Sequence, residues 1–131
     1  MYMLDTNICI YIIKKQPASV LERFEQLPFG SVSMSLVTYG KLEYGALRSN
    51  NSNKALNTLE EIKNYIPVLP IEINVAKHYA DIRADLAKKG TPIGNNDLWI
   101  AAHARALGHT IVSNNIKEFE RVENLKLENW V

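Results

Sequence analysis

Apolar positions along the chain follow two different periods. Short runs at 1–4 (Met1-Tyr2-Met3-Leu4), 31–34, 67–71 and 110–113 read as strands, with a weaker run near 125–128. Between them, apolar residues recur at helical spacing over 7–15, 17–27, 36–49, 53–65, 73–89 and 96–107, and over a short segment at 115–120. Pro17 suits a helical first turn, and Gly90 and Gly108 stand where helices commonly end on glycine. Ser52 or Asn53 is expected to cap the fourth helix and Asn96 the sixth, each accepting a first-turn amide. Strands alternating with helices predict an α/β fold with a parallel sheet covered on both faces. The polar stretch Arg48-Ser49-Asn50-Asn51-Ser52-Asn53 is short enough for a loop between helices, so the 131 residues read as one domain, 1–131.

Composition adds exclusions. With 47% hydrophobic and 22% charged residues the chain has the make-up of an ordinary globular protein. No apolar run approaches the roughly 18 residues of a membrane span, and Asp5 breaks the apolar start that a signal peptide would need. The single cysteine, Cys9, excludes an internal disulfide and a multi-cysteine zinc site. It lies on an apolar helical stretch and reads as a small core residue. A cytoplasmic location is the resulting expectation. A net charge of +1 carries no whole-protein signature of nucleic-acid binding. Basic clusters at Lys14-Lys15, at Arg83 with Lys88-Lys89, and at His103 with Arg105 read as solvated helix faces that together could rim an acidic cleft.

The chemistry concentrates at element boundaries. Asp5 stands where the first strand hands over to a helix, the position at which open α/β sheets bind ligands. Asp97, in Gly94-Asn95-Asn96-Asp97-Leu98-Trp99, stands at a second helix start. Two such acids point to a hard cation, since Mg²⁺ takes one or two carboxylates and retains several waters. Either acid also reads as a helix-terminal group, Asp5 as an N-cap and Asp97 as a first-turn acid favoured by the helix dipole. Ser113-Asn114-Asn115-Ile116-Lys117-Glu118-Phe119 follows the strand Thr110-Ile111-Val112. There Glu118 reads as a ligand, a water-positioning base or a surface acid. No Gly-rich phosphate loop or G-x-S-x-G elbow occurs, Asp5-Thr6-Asn7 lacks the second acid of an Asp-x-Asp phosphatase, and His78, His103 and His109 show no zinc spacing. These histidines read as surface or half-buried residues.

Four segments, in order, carry a resemblance: Met3-Leu4-Asp5-Thr6-Asn7; Thr38-Tyr39-Gly40-Lys41-Leu42-Glu43-Tyr44-Gly45; Pro92 to Ala104; and Ile111 to Phe119, with the tail Leu127-Glu128-Asn129-Trp130. Nearly end to end the chain resembles a PIN-domain ribonuclease of the VapC toxin type. The resemblance implies a three-layer α/β/α sandwich around a short parallel sheet of four or five strands, with the chain forming a homodimer. It implies an Mg²⁺- or Mn²⁺-dependent endoribonuclease, the toxin of a type II toxin–antitoxin system, cleaving RNA and commonly transfer RNA. It implies a cognate VapB-type antitoxin whose C-terminal segment lies across the active site and through which operator DNA is bound. Asp5 and Asp97 match acidic metal-binding positions, Asn115 falls where many relatives carry a further acid, Glu118 lies close by, and Asn7 and Ser113 match supporting polar positions.

One position departs from the pattern. The family motif T-x-x-E-L-x-x-G, aligned on Thr38, Leu42 and Gly45, puts Lys41 on the catalytic glutamate. Glu43 is no substitute: residues two apart on a helix point about 200° apart. A protonated lysine cannot ligate a cation, and at about 4 Å it repels a divalent ion strongly even at an effective dielectric of about 20. The expectation is that Lys41 reaches towards Asp5 and Asp97, lowers their pKa values and leaves the nuclease impaired. The alternative is a non-catalytic module that acts with the antitoxin as co-repressor of the operon.

Overall fold

Successive residues of a strand face opposite sides of a sheet, and the first strand shows what that achieves here. The computed structural model describes residues 1–131. Met3, in β1 (Tyr2–Leu4), joins a core with α5 (Val75–Lys89), α6 (Asn95–Leu107) and α7 (Ile116–Phe119) through Ile82, Leu86, Ile100 and Phe119. Its neighbour Leu4 joins the opposite core with α1 (Thr6–Lys14), α2 (Ala18–Gln26), α3 (Leu36–Leu47) and α4 (Ser52–Ile62) through Ile8, Val20, Leu42 and Leu59. Ile111 and Val112 of β4 (Thr110–Val112) divide in the same way. Burying each such aliphatic chain contributes about 1.5–3 kcal/mol. The result is the expected α/β/α sandwich.

With β2 (Val32–Ser35), β3 (Val68–Leu69) and β5 (Lys126–Glu128), the sheet is parallel throughout, in the order β3-β2-β1-β4-β5. The chain therefore builds outward from β1 to β3, then returns to place β4 against the other side of β1. That reversal opens a crevice at the carboxyl ends of β1 and β4, the ligand-binding position of such sheets. β3 spans only two residues of the predicted 67–71 run. Pro67 and Pro70 flank it, and neither has an N–H to extend the ladder.

Four local expectations are corrected. Asn51, not Ser52 or Asn53, caps α4, its side chain accepting the Lys54 amide at 3.2 Å. Gly94 precedes α6 without a side-chain cap, so Asn96 lies within the first turn. Pro17 is itself the residue before α2. His103 is fully buried, its Nδ1 2.9 Å from Ser35 Oγ. The cause is the alternation of β2: Val32 and Met34 face the α1–α4 core, which turns Ser33 and Ser35 towards the side where α6 packs. Cys9 is a buried core residue as expected, and burial raises its thiol pKa far out of the reactive range.

Candidate metal centre at the sheet's switch point

Asp5 leaves β1 in extended conformation and is 4% exposed. Both readings of it hold at once. Its Oδ1 accepts the Thr6 amide at 2.7 Å as a helix cap, while its Oδ2 accepts the Ser113 hydroxyl at 2.8 Å across the crevice. Ser113 Oγ in turn accepts the Asn115 amide at 2.9 Å. One hydroxyl thus ties the ends of β1 and β4 together.

Asn115 carries the arrangement onward. Its Nδ2 donates to Asp97 Oδ2 at 3.3 Å and to Glu118 Oε2 at 2.6 Å, and the Gly94 amide donates to Glu118 Oε1 at 3.4 Å. Asp97 and Glu118 thus both accept from the one Asn115 amide group. On the other side, Asn7 Nδ2 donates to Asn114 Oδ1, and Asn114 Nδ2 donates to the Tyr11 hydroxyl at 2.8 Å. Asp5, Asn7, Asp97, Ser113, Asn115 and Glu118 therefore meet at one end of the sheet. Tyr11 and Asn114 join them; Tyr11 falls in an otherwise apolar helical pattern and gave no signal in the sequence.

The electrostatics are those of crowded carboxyls. Burial, the bond to Glu118 and the charges of Asp5 and Glu118 push Asp97 up to about 7, with Lys41 pulling it down least of all. The hydrogen bond from Asp97 holds Glu118 below its usual range, helped by Asn115, the Gly94 amide and Arg121. The pair thus shares a proton that resides on Asp97. Asp97 carries it in the folded protein between pH about 4 and about 7, where the unfolded chain would not. By linkage, stability of the metal-free protein falls as pH rises through that window. Thermal unfolding in chelator should show this decline, and Asp97→Asn should flatten it; an unchanged pH slope in the variant would contradict the shared proton.

Lys41 corrects its expectation. It forms no ion pair with Asp5 or Asp97: the ion pairs of the chain are Arg23–Glu128, Lys63–Glu60, Lys89–Asp85, Lys89–Glu123 and Arg105–Asp81. Half-buried on α3, it lines a groove of about 560 Å³ with Thr6, Ile10, Lys14 and Lys54. Keeping the ammonium hydrated there avoids the desolvation that an ion pair inside the crevice would require. Lys41 does pull Asp97 down, as expected, but burial, Glu118 and Asp5 outweigh it and the net shift is upward. Glu43 is exposed, as expected of a surface acid.

The basic clusters separate in the same way. Lys14 borders the groove, whereas Arg105 is committed to His78, Asp81 and the Glu123 carbonyl, and Lys89 to Asp85 and Glu123.

The donors suit a divalent cation held by few protein ligands. Asp5 and Asp97 supply carboxylates, and Thr6 Oγ1 and Asn7 Oδ1, next in the chain, are buried without a partner. No three His, Cys, Asp or Glu side chains gather into a ready-made cage, so a cation here would retain several waters, as Mg²⁺ does.

A family model for the PIN domain matches residues 2–125. The chain belongs to the PIN-domain family. Within it, the likeness is to VapC ribonucleases. The chain is 47% identical over 129 residues to a tRNA(fMet)-specific endonuclease VapC of Shigella flexneri, covering 98% of this chain and 97% of that one. It is 45% identical over 130 residues to Ribonuclease VapC2 of Haemophilus influenzae, covering 99% and 98%. The DNA-bound VapBC structure from Salmonella typhimurium superposes with a TM-score of 0.92 at 40% identity, covering 99% of this PIN domain and 98% of that chain. No helix of the PIN domain is long and apolar enough to cross a membrane.

Proposed function

We propose that this PIN domain is the ribonuclease toxin of a VapBC toxin–antitoxin pair, with transfer RNA as substrate, and that Lys41 impairs it in this chain. The observation that carries the reading is the hydrogen-bonded chain that links Asp5, through Ser113 and Asn115, to Asp97 and Glu118 at the switch point, with orphaned oxygens beside Asp5. Asp5 and Asp97 would hold Mg²⁺ or Mn²⁺, which when bound polarises a phosphodiester oxygen and makes water a better nucleophile.

The remaining roles belong to the chain. Ser113 and the Thr6 amide orient Asp5, and Asn115 sets the spacing of Asp97 and Glu118. Glu118, held ionised, is placed to accept a proton from an attacking water, and the unpartnered Asn7 Oδ1 offers a further oxygen beside Asp5 that would help hold the cation. Lys14 and Lys54 offer phosphate contacts, which makes RNA binding salt-sensitive. The antitoxin would be of VapB type, and operator DNA would be engaged through it, in keeping with the DNA-bound VapBC relative.

Lys41 favours a second reading as well, a PIN domain that binds antitoxin without cutting. Cleavage of purified transfer RNA with Mg²⁺, with Mn²⁺ and with chelator separates the two. The nuclease reading requires metal-dependent cleavage once Lys41 is replaced by Glu; an inert Lys41→Glu protein leaves the binding module.

A further inference from the structure

Ser35 and His103 take no part in the acid cluster, yet they join the helices that carry position 41 and Asp97. Ser35 ends β2 and caps α3, its Oγ accepting the Val37 amide at 3.1 Å. His103 lies within α6, whose first turn holds Asp97. Both side chains are fully buried, with His103 Nδ1 2.9 Å from Ser35 Oγ. Burial lowers the His103 pKa from its ordinary value, so the ring is neutral at pH 7. Ser35 Oγ already accepts from Val37, and its buried hydroxyl proton is satisfied only by donating to Nδ1.

No other hydrogen bond joins α3 or its cap to α6. Thr38, midway between Ser35 and position 41, is buried with its hydroxyl unpartnered. The rest of the contact is apolar, with Val37 packed against the core that holds Ile100, Ala101 and Ala104. Apolar contact is non-directional and tolerates sliding, whereas a hydrogen bond demands a distance and an angle. A single polar pair in an apolar helix interface can therefore set its register.

Helix geometry carries that register to the acids. Position 41 lies six residues after Ser35, and Asp97 six residues before His103. At about 1.5 Å per residue, each stands about 9 Å from the polar pair along its own helix. The charge of Lys41 reaches Asp97, so the helices pass in opposite senses and the two positions are neighbours further along the same seam. A slip of α3 along the seam would carry position 41 past Asp97 by the same amount.

We infer that the buried Ser35–His103 bond fixes the register of α3 against α6 and with it the spacing of position 41 from Asp97, which makes His103 a positioning residue of the cation site. The inference rests on the cation site of the reading above.

Mn²⁺ binding by the full-length Lys41→Glu protein, followed by electron paramagnetic resonance, tests it. In that background His103→Leu keeps most of the bulk of the ring and removes the acceptor. His103→Asn loses bulk but keeps an acceptor, Oδ1, near the place of Nδ1. His103→Leu should weaken Mn²⁺ binding about ten-fold, and His103→Asn should hold it within about three-fold of the parent. Ser35→Ala removes the same bond from its other end and should match His103→Leu, with the double variant no weaker than either alone. Circular dichroism shows that each protein compared is folded, and the Ser35→Ala comparison decides the matter if His103→Asn does not fold. Unchanged affinity in His103→Leu, or a folded His103→Asn protein weakened as much, would overturn the positioning role alone. Absence of Mn²⁺ binding by the Lys41→Glu parent would overturn the cation-site reading and the positioning role with it.

Discussion

Lys41→Glu should raise metal-dependent cleavage of transfer RNA by about 100-fold or more over this chain. Two charges about 6 Å apart at an effective dielectric of about 20 interact by about 3 kcal/mol, and each 1.36 kcal/mol is about a factor of ten in rate. Lys41 exerts its charge on Asp97 without an ion pair, so on the proposed reading the loss would come from repulsion of the cation and the absence of a ligand, not from blockage of the crevice. Lys41→Met separates these two contributions. It removes the repulsion but supplies no oxygen, and its cleavage rate should fall between those of the lysine and glutamate proteins. Single-turnover cleavage in Mg²⁺, with a chelator control, measures all three.

Asp5→Asn, introduced into the Lys41→Glu protein, should remove the recovered activity, a loss of about 1,000-fold or more. The asparagine is nearly isosteric but neutral. It can accept from only one of the two donors Asp5 now serves, the Thr6 amide and the Ser113 hydroxyl. The Ser113 O–H loses the acceptor it has on Asp5, which should cost stability by about 1 kcal/mol. Cleavage should thus collapse while the fold persists, which circular dichroism and urea unfolding would show. Unfolding of the variant would instead make Asp5 chiefly a structural cap.

Much of this site could be read from local sequence because its residues stand at element boundaries. An apolar run ending on Asp5 marks a strand end, and Thr110-Ile111-Val112 followed by Ser113 marks another. Parallel pairing then forces the two ends together. Asp97 and Glu118 follow from helix starts in the same way. What escaped the reading depended on contacts between distant elements. His103 looked like a surface or half-buried histidine until β2 turned Ser35 towards it. Lys41 was correctly placed on its helix, but the direction of a long flexible side chain is set by hydration and by the groove wall, not by helix phase.

The central claim, that Asp5 and Asp97 form a cation site which Lys41 weakens, is tested most directly by Mn²⁺ binding. Free Mn²⁺ is followed by electron paramagnetic resonance as this chain, its Lys41→Glu form and the Lys41→Glu, Asp5→Asn double variant are titrated. The account predicts about 100-fold tighter binding by the Lys41→Glu protein than by this chain, and loss of that gain in the double variant. Equal Mn²⁺ affinity in all three proteins would contradict it.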